Sequence, residues 1–467
     1  MMTLSTNPAR LRIPPVAFQS EHTRLKYQHA LNILTQLHAH GFEAFLCGGC
    51  VRDIVMHLEP KDFDIATSAA PQQIEDLFPR RADLVGKSFG VVIVRDQHDP
   101  HIYTEVATFR IDGPYLNGRR PTKVTFATAQ EDVLRRDFTC NALFLDTRDH
   151  TVLDWTGGLT DIQNKLIRCV GDPTTRFRED RLRLLRAIRF SVQLGFEIEQ
   201  TTWNALCKEV EGISTIAPER IRDELNKSFC SPQPARALDL LYDSGILAIL
   251  LPEICALRGC QQPPQFHPEG DVYNHLRLML SHLPHNPDPR LVWAVLLHDI
   301  GKPATFSRDA DGRIRFNGHE LVGAEIARRI LTRLRFCNDD IDYITTCVRN
   351  HMAFKDAPQM RPATLKKMLA RPTFATELEL HRIDCLGCHG DLSIYQFLLE
   401  RQQELSREQI KPPPLLNGHD VMAFGIPSGP LVGKILNEAY DLQLENAFPN
   451  RQAALDWLKN RLALPNG

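Results

Sequence analysis

Two short stretches near the N-terminus decide how the chain is expected to fold. Residues 44–53 read Ala-Phe-Leu-Cys-Gly-Gly-Cys-Val-Arg-Asp, and residues 60–65 read Pro-Lys-Asp-Phe-Asp-Ile. The apolar start of the first stretch predicts a buried strand. Two glycines ahead of a helix let the backbone approach a phosphate closely, and the helix N-terminus offers free N–H donors. We therefore predict that Gly48 and Gly49 border a nucleotide site and that Arg52 adds a charge-assisted contact to phosphate.

The second stretch predicts a metal site. Asp62 and Asp64 alternate around Phe63, and in a strand this spacing puts both carboxylates on one face and the phenyl ring on the other. Converging carboxylates suit Mg²⁺, which prefers oxygen ligands. Either motif alone is also compatible with a turn followed by a solvated acidic strand. Glu105, in the predicted strand 103–109, is a candidate third carboxylate, and an exposed strand residue is its alternative interpretation.

Composition narrows the class of protein. At roughly 150 residues per domain, 467 residues predict about three domains. A formal net charge of −2, with 43% apolar and 24% charged residues, is typical of a globular protein and excludes disordered, coiled-coil and collagen-like chains. The chain lacks the roughly 18 consecutive apolar residues of a membrane helix and shows no secretory signal. Twelve cysteines are too sparse for a disulfide scaffold, so we expect cytosolic thiols and a cytoplasmic protein.

Periodicity predicts an α+β multidomain protein. The first 150 or so residues mix strands and helices after a frayed segment 1–20, and the later residues read as helices. A stiff linker, Lys-Pro-Pro-Pro at 411–414, precedes a helical tail. The predicted later helices include 176–194, 218–230 and 234–250.

Four motifs in order carry a resemblance to a known family. Residues 45–69 contain both stretches quoted above, residues 135–143 read Arg-Arg-Asp-Phe-Thr-Cys-Asn-Ala-Leu, and residues 171–190 run from Gly-Asp-Pro to Ala-Ile-Arg-Phe. They resemble the class II tRNA nucleotidyltransferases and bacterial poly(A) polymerases. The resemblance implies a polymerase beta-like nucleotidyltransferase head at 21–165, followed by an all-α body that begins with a helical neck at 166–262.

The resemblance also implies the chemistry. An RNA 3′-hydroxyl attacks the α-phosphate of ATP or CTP at two Mg²⁺ ions, which Asp62, Asp64 and Glu105 hold. tRNA is the implied partner, and no obligate protein partner is evident. Charge-neutral chains can bind RNA through local basic rows.

Base selection follows from hydrogen-bond types. Cytosine and adenine both present an amine donor beside a ring-nitrogen acceptor, which a carboxylate and an arginine side by side complement. Asp180 and Arg183 are expected to be neighbours at i, i+3 on one helix, and the resemblance makes them the base-reading pair. Arg136, Arg186 and Arg189 match family positions that contact the nucleotide. The alternative is a solvated arginine face with internal ion pairs.

Two features favour CCA addition over poly(A) addition. The poly(A) polymerase branch usually has a basic Arg-Phe-Arg-Leu segment where this chain reads Gly-Lys-Ser-Phe-Gly at 86–90. Residues 109–121 resemble the flexible loop of enzymes that add the terminal A. Addition of A alone, and poly(A) polymerase activity, stay open.

A second constellation lies at 263–400. The stretch Leu-Leu-His-Asp-Ile-Gly-Lys at 296–302 resembles the HD phosphohydrolases, and imidazoles with carboxylates can converge on a divalent cation inside a helical bundle. Lys302 could neutralise a phosphate. Chance placement of histidines, or an inactive domain, is the alternative, as is a phosphohydrolase whose head only senses nucleotides. A helical tail at 411–467 completes the domain prediction. The implied ligands of this unidentified metal are His275, His298, Asp299 and Asp384, with His319 and His351 for a second metal or for phosphate.

Overall fold

The chain folds into two compact units, residues 1–252 and 253–467. The structure, a computed structural model, describes residues 7–84, 90–113, 115–116, 120–121, 124–263, 268 and 270–463. Residues 86–89, and residues 114 and 117–119 of the loop at 109–121, lie outside the described residues. These two stretches are the basis of the comparison with poly(A) polymerases. Among the described residues, no helix combines the length and the apolar character needed to cross a membrane.

An eight-stranded sheet organises the first unit. Its order is β1-β12-β11-β2-β3-β6-β5-β4, and every neighbouring pair is antiparallel except β3 with β6. Short ladders join β7 to β10, β8 to β9 and β13 to β14. The strands are β1 (Ala9–Arg12), β2 (Ala44–Cys47), β3 (Asp64–Thr67), β4 (Ala82–Leu84), β5 (Val91–Arg95), β6 (Tyr103–Thr108), β7 (Arg110–Asp112), β8 (Tyr115–Leu116), β9 (Arg120–Pro121), β10 (Val124–Phe126), β11 (Phe144–Asp146), β12 (Thr151–Asp154), β13 (Leu166–Ile167) and β14 (Glu197–Ile198).

Helices cover this sheet and continue as a helical segment. The helix over 21–39 begins at the cap Ser20, whose side chain accepts from the Thr23 backbone N–H, and buries Ile33, Leu34 and Leu37 against the sheet. The helices are α1 (Glu21–Ala39), α2 (Gly49–Val55), α3 (Pro71–Leu77), α4 (Ala129–Leu134), α5 (Gly158–Gln163), α6 (Pro173–Glu179), α7 (Arg183–Leu194), α8 (Gln200–Lys208), α9 (Pro218–Phe229), α10 (Pro234–Asp243) and α11 (Ile246–Leu250), with 3-10 turns at Thr139–Asn141 and Val210–Thr215.

Three local predictions for this unit were wrong. Residues 9–12 are not frayed, because they pair with β12 as strand β1. The predicted helix 176–194 is two helices, since the chain is extended at Asp180. The predicted helix 234–250 breaks at Gly245, whose φ of +83° is in the left-handed region that favours glycine.

Among its described residues, the second unit is helical apart from one hairpin whose two strands have two residues each. Its buried α14 carries apolar residues on all sides, including Trp293, and delivers the residues after it to the interior. The elements are α12 (Pro252–Cys255), which begins at the boundary, α13 (Val272–Ser281), α14 (Pro289–Leu297), α15 (Lys302–Thr305), β15 (Ser307–Arg308), β16 (Ile314–Arg315), α16 (His319–Arg333), α17 (Asn338–Asn350), α18 (Pro362–Leu369), α19 (Phe374–Gly387), α20 (Ser393–Glu404), α21 (Arg407–Ile410), α22 (Gly418–Met422), α23 (Pro430–Leu444) and α24 (Arg451–Ala463), with 3-10 turns at His351–Phe354 and Ala357–Gln359. The predicted α+β head followed by a helical body is confirmed.

Candidate nucleotide-transfer and metal sites

The glycine pair forms a tight strand-to-helix turn. Gly48 adopts φ +76° and ψ −134°, and a Cβ atom there would lie 3.2 Å from Nη1 of Arg136. The helix α2 begins at the next residue, so its first backbone N–H groups lie at this turn. Arg52, one turn on, is 8% exposed and donates to the Asn141 side chain at 2.5 Å and to Asp53 at 2.9 Å. The turn is thus built closely against two fixed arginines.

The strand register brings two of the predicted carboxylates together. The ladder between β3 and β6 pairs Ile65 with Val106, which places Asp64 beside Glu105 on the same face. Burial, the neighbouring Glu105 and Asp62 raise the pKa of Asp64 and Arg136 opposes the rise, which leaves it at about 6. The carboxylates therefore repel one another in the absence of a cation.

Phe63 and Asp62 lie just before this strand. Phe63 is buried, with its ring centroid 5.5 Å from that of Phe18 and 5.2 Å from that of Tyr27, so the predicted burial of the phenyl ring is confirmed. The strand itself begins only at Asp64. The Asp62 side chain is 63% exposed and lies 2.9 Å from Nζ of Lys26, a partner that the sequence pattern did not reveal.

The side-chain types of Asp62, Asp64 and Glu105 fit a hard divalent cation, although the ligand oxygens of these three described residues do not converge as those of the histidine–aspartate groups do. The three side chains offer only carboxylate oxygens, the ligands that Mg²⁺ prefers. A cation bound there would also offset the repulsion that raises the pKa of Asp64. The role of Asp62, Asp64 and Glu105 as metal ligands stays a prediction.

Each arginine predicted to contact the nucleotide is held by an acidic partner. Nη2 of Arg136 donates to Asp132 at 3.1 Å, and its guanidinium lies 4.9 Å from the centre of the Phe144 ring. The partners of the arginines on α7 are Glu179 for Arg183 at 2.9 Å, Asp137 for Arg186 at 2.8 Å and Glu224 for Arg189 at 2.6 Å. The internal ion pairs of the alternative interpretation are therefore present, but Arg183 and Arg189 are buried rather than solvated.

Asp137 shows how strong this pairing is. Burial by itself would raise the pKa of Asp137, but the Arg186 guanidinium lowers it to about 2. Sequence reasoning quoted Asp137 within the Arg-Arg-Asp motif without giving it a role, and it missed Asp132, Glu179 and Glu224. The i, i+4 spacing of Asp132 from Arg136 and of Glu179 from Arg183 was the available signal for two of these pairs.

The predicted base-reading pair is not arranged as neighbours on one helix. Asp180 ends α6 in an extended conformation, with φ −134° and ψ 104°, whereas Arg183 opens α7. Oδ2 of Asp180 lies 3.7 Å from Nη2 of Arg220, and Nη2 of Arg183 donates to the Arg135 carbonyl at 2.7 Å. The helical-neighbour argument was therefore wrong, because the extended backbone at Asp180 separates α6 from α7. Their role in reading the base stays a prediction.

The histidine–aspartate series meets around one buried carboxylate. His298 caps α14, Asp299 follows it, and His275 lies on α13. His319 begins α16, and His351 begins the 3-10 turn after α17. Two groups share Asp299, one with His275 and His298 and one with His319 and His351, and the ligand atoms of each group lie within 4.8 Å of one another.

Distances around Asp299 define this cluster. Its Oδ1 lies 3.4 Å from Nε2 of His319 and 3.7 Å from Nε2 of His351, and its Oδ2 lies 3.1 Å from Nε2 of His298. Nε2 of His275 lies 3.1 Å from Oδ1 of Asp384 on α19. All six residues predicted from the sequence are thus connected through short distances.

Backbone carbonyls fix the orientation of three imidazole rings. Nδ1 of His298, His319 and His351 donates to a carbonyl three residues earlier in the chain, at 2.9, 2.7 and 2.6 Å. A carbonyl only accepts, so each neutral ring carries its proton on Nδ1 and keeps the Nε2 lone pair for a ligand. This second contact is typical of metal-binding histidines.

The charge states of Asp299 and His351 favour a bound cation. Burial would raise the pKa of Asp299, but His298 and Lys302 hold it well below its usual range. Burial and the nearby His298 lower the pKa of His351 to about 4, so this ring is neutral at pH 7. An ionised carboxylate close to a neutral imidazole fits a divalent metal.

Family models match three segments of the chain. The poly A polymerase head domain matches residues 44–168, the probable RNA and SrmB-binding site of polymerase A matches residues 195–257, and the HD domain matches residues 271–381. The chain therefore carries a head domain of the poly A polymerase type, followed by an RNA-binding segment of the polymerase A type and an HD domain.

Several CCA-adding enzymes are similar to this chain. The Geobacillus kaustophilus CCA-adding enzyme is 44% identical over 225 residues, a match that spans 48% of this chain and about half, 54%, of that relative. The Streptococcus mutans CCA-adding enzyme is 29% identical over 445 residues, 95% of this chain and 99% of the relative. The solved Bacillus stearothermophilus CCA-adding enzyme in complex with CTP is similar with a TM-score of 0.70 and 28% identity, covering 94% of this chain and 98% of that one.

Proposed function

We propose that the chain adds C, C and A to the 3′ end of tRNA from CTP and ATP, in the cytoplasm where these substrates occur. The observation that supports this proposal most strongly is the pairing of β3 with β6, which places Asp64 beside Glu105. Asp64 also pairs with Cys47, the residue before the glycine turn. The names of the relatives, including one aligned over 99% of its length, support CCA addition over other nucleotidyl transfers.

The residues of the head have separable roles in this proposal. Asp62, Asp64 and Glu105 hold Mg²⁺, which when bound lowers the pKa of the RNA 3′-hydroxyl and orients the triphosphate. The backbone N–H groups after Gly48 and the Arg52 side chain bind phosphate oxygens. The carboxylate of Asp180 accepts from the base amine and the guanidinium of Arg183 donates to the ring nitrogen. Arg136, Arg186 and Arg189 line the same nucleotide site.

Product sequencing tests the proposal. The protein is incubated with Mg²⁺, CTP, ATP and a tRNA that lacks its 3′ CCA, and the product ends are sequenced. Ends of CCA are expected. Runs of A would indicate a poly(A) polymerase instead, and a single A on tRNA already ending in CC would indicate an A-adding enzyme. No addition by the parent would refute the proposal and favour a nucleotide-sensing head.

A second activity, metal-dependent phosphohydrolysis by the HD domain, is favoured by the shared carboxylate Asp299 and the oriented histidines around it. His275, His298, Asp299 and Asp384 would hold one divalent metal, and His319 and His351 a second one or a phosphate. Lys302, whose Nζ lies 2.6 Å from Asp299, would neutralise phosphate charge. Release of phosphate from 2′-phosphates, and opening of 2′,3′-cyclic phosphates to monophosphates, each assayed with Mg²⁺, Mn²⁺, Co²⁺, Ni²⁺ and Zn²⁺ in turn, test this activity.

A further inference from the structure

A buried amide beside the histidine–aspartate cluster has a hydrogen-bond partner for its oxygen but, among the described residues, none for its nitrogen. Gln262 is 3% exposed, and its Oε1 accepts from Nζ of Lys302 at 2.7 Å. Because the ammonium group only donates, this contact fixes which end of the amide is the oxygen. Nε2 of Gln262 is buried and finds no hydrogen-bond partner among the described residues. A buried donor without a partner is costly, so we expect a ligand to supply the acceptor.

The position of this donor identifies the ligand chemistry. Nζ of Lys302 lies 2.6 Å from Oδ2 of Asp299, the carboxylate that both histidine groups share. Since the oxygen and nitrogen of an amide are only about 2.3 Å apart, Nε2 of Gln262 lies within roughly 5 Å of that ammonium. A cation and a neutral N–H donor at this spacing complement two oxygens of one phosphoryl group.

The choice of residue supports a ligand role over a merely structural one. Holding Lys302 requires an acceptor alone, and a carboxylate would hold it more strongly than an amide does. A carboxylate, however, would repel an anionic ligand, whereas the amide adds a donor without adding negative charge.

We propose that Gln262 is a substrate-binding residue of the HD site and that its side-chain N–H donates to a phosphoryl oxygen of the substrate, beside the ammonium of Lys302. This inference rests on the proposed phosphohydrolase function.

The replacement Gln262→Glu separates the two roles of the side chain. The carboxylate still accepts from Lys302, but its second oxygen faces the phosphoryl group with a negative charge. We expect KM for 2′,3′-cyclic AMP to rise about tenfold or more, kcat to change little, and Mn²⁺ affinity to stay at the parental value. Gln262→Met, which neither donates nor repels, should give a smaller rise in KM. Gln261→Glu, the same change at the exposed neighbouring position, is the matched control.

The outcomes distinguish this inference from the proposed activity. A parental KM in Gln262→Glu, with the nucleotide addition of the head intact, would show that the amide only holds Lys302 and would overturn the inference. If the parent hydrolyses nothing with any of the five metals, the phosphohydrolase proposal fails. Gln262 is then judged by titrating inorganic phosphate into the Mn²⁺-loaded full chain. Tenfold weaker binding by Gln262→Glu supports the inference, and equal affinity, or no binding by the parent, overturns it.

Discussion

Replacing Asp64 by Asn should stabilise the metal-free protein while abolishing nucleotide addition. The folded protein holds the pKa of Asp64 near 6, above the 3.8 of an ordinary aspartate, because burial and Glu105 disfavour its charged form. The folded state therefore binds this proton more tightly than the unfolded state does. Asp64 lowers the free energy of unfolding progressively as the pH rises from about 4 through 6, and its full cost is present at pH 7 and above.

The magnitude follows from the size of the shift. A rise from 3.8 to about 6 corresponds to about 3 kcal/mol at pH 7 and above. The side chain is partly accessible to water, which screens the interaction, so we expect a gain of about 1–3 kcal/mol for Asp64→Asn. Asparagine keeps the shape of the protonated aspartate and carries no charge, so the gain should vanish near pH 4.

Urea unfolding in EDTA at pH 4, 5, 7 and 8 measures this gain. Asp62→Asn is the matched control, because Asp62 is largely exposed and already paired with Lys26, and it should give no gain. Mg²⁺ should stabilise the parent and not the Asp64→Asn variant. An equal loss of stability at pH 4 and pH 8 in the Asp64→Asn variant would refute the idea that crowded carboxylates oppose folding here.

The remaining predictions concern the turn, the base and the HD metal. Gly48→Ala should lower stability by about 1–2 kcal/mol and slow nucleotide addition, because its φ is positive and the new Cβ lies 3.2 Å from Arg136; unchanged addition kinetics would contradict this. Arg183→Ala should loosen the rejection of UTP more than it weakens tRNA binding, measured by misincorporation and by tRNA Kd, and unchanged UTP rejection counts against it. His298→Ala should reduce the stoichiometry of bound Mn²⁺ and leave CCA addition unchanged, whereas full metal binding would show that His298 is not a ligand.

Local signals predicted the elements that form the head. The apolar run before Gly48 and the pattern around Phe63 depend on neighbouring residues only. The first forms strand β2 and Phe63 is buried, whereas Asp62 lies outside the strand that begins at Asp64. The break after Asp180 carries no glycine or proline, and its local signal was the capping tendency of aspartate, since Oδ1 of Asp180 accepts from the Leu182 backbone N–H at 3.1 Å. It accompanies a hydrogen bond from Arg183 to the Arg135 carbonyl, 48 residues away in the chain.

The histidine–aspartate site was easier to predict than the arginine pairs. Each of its six residues was identified by type and order, and a buried carboxylate requires compensating groups around it. The acid that holds Arg189 is Glu224 on α9, 35 residues further along, and only the packing of α7 on α9 brings the two together. A sequence pattern reports which charges exist, whereas the fold decides which of them meet.

In the head, the positively charged side chains on α7 have partners of opposite charge, whereas the carboxylate of Asp64 lies beside another carboxylate. The arginines along α7 are each fixed by an acid, Glu179, Asp137 or Glu224, so ordering their long side chains costs little when a nucleotide binds. Asp64, in contrast, lies next to Glu105, and burial together with their repulsion raises its pKa to about 6. A nucleotide bound at this face would bring more negative charge and increase that repulsion. We therefore expect a divalent cation to accompany the triphosphate, because it would offset both sources of negative charge at once.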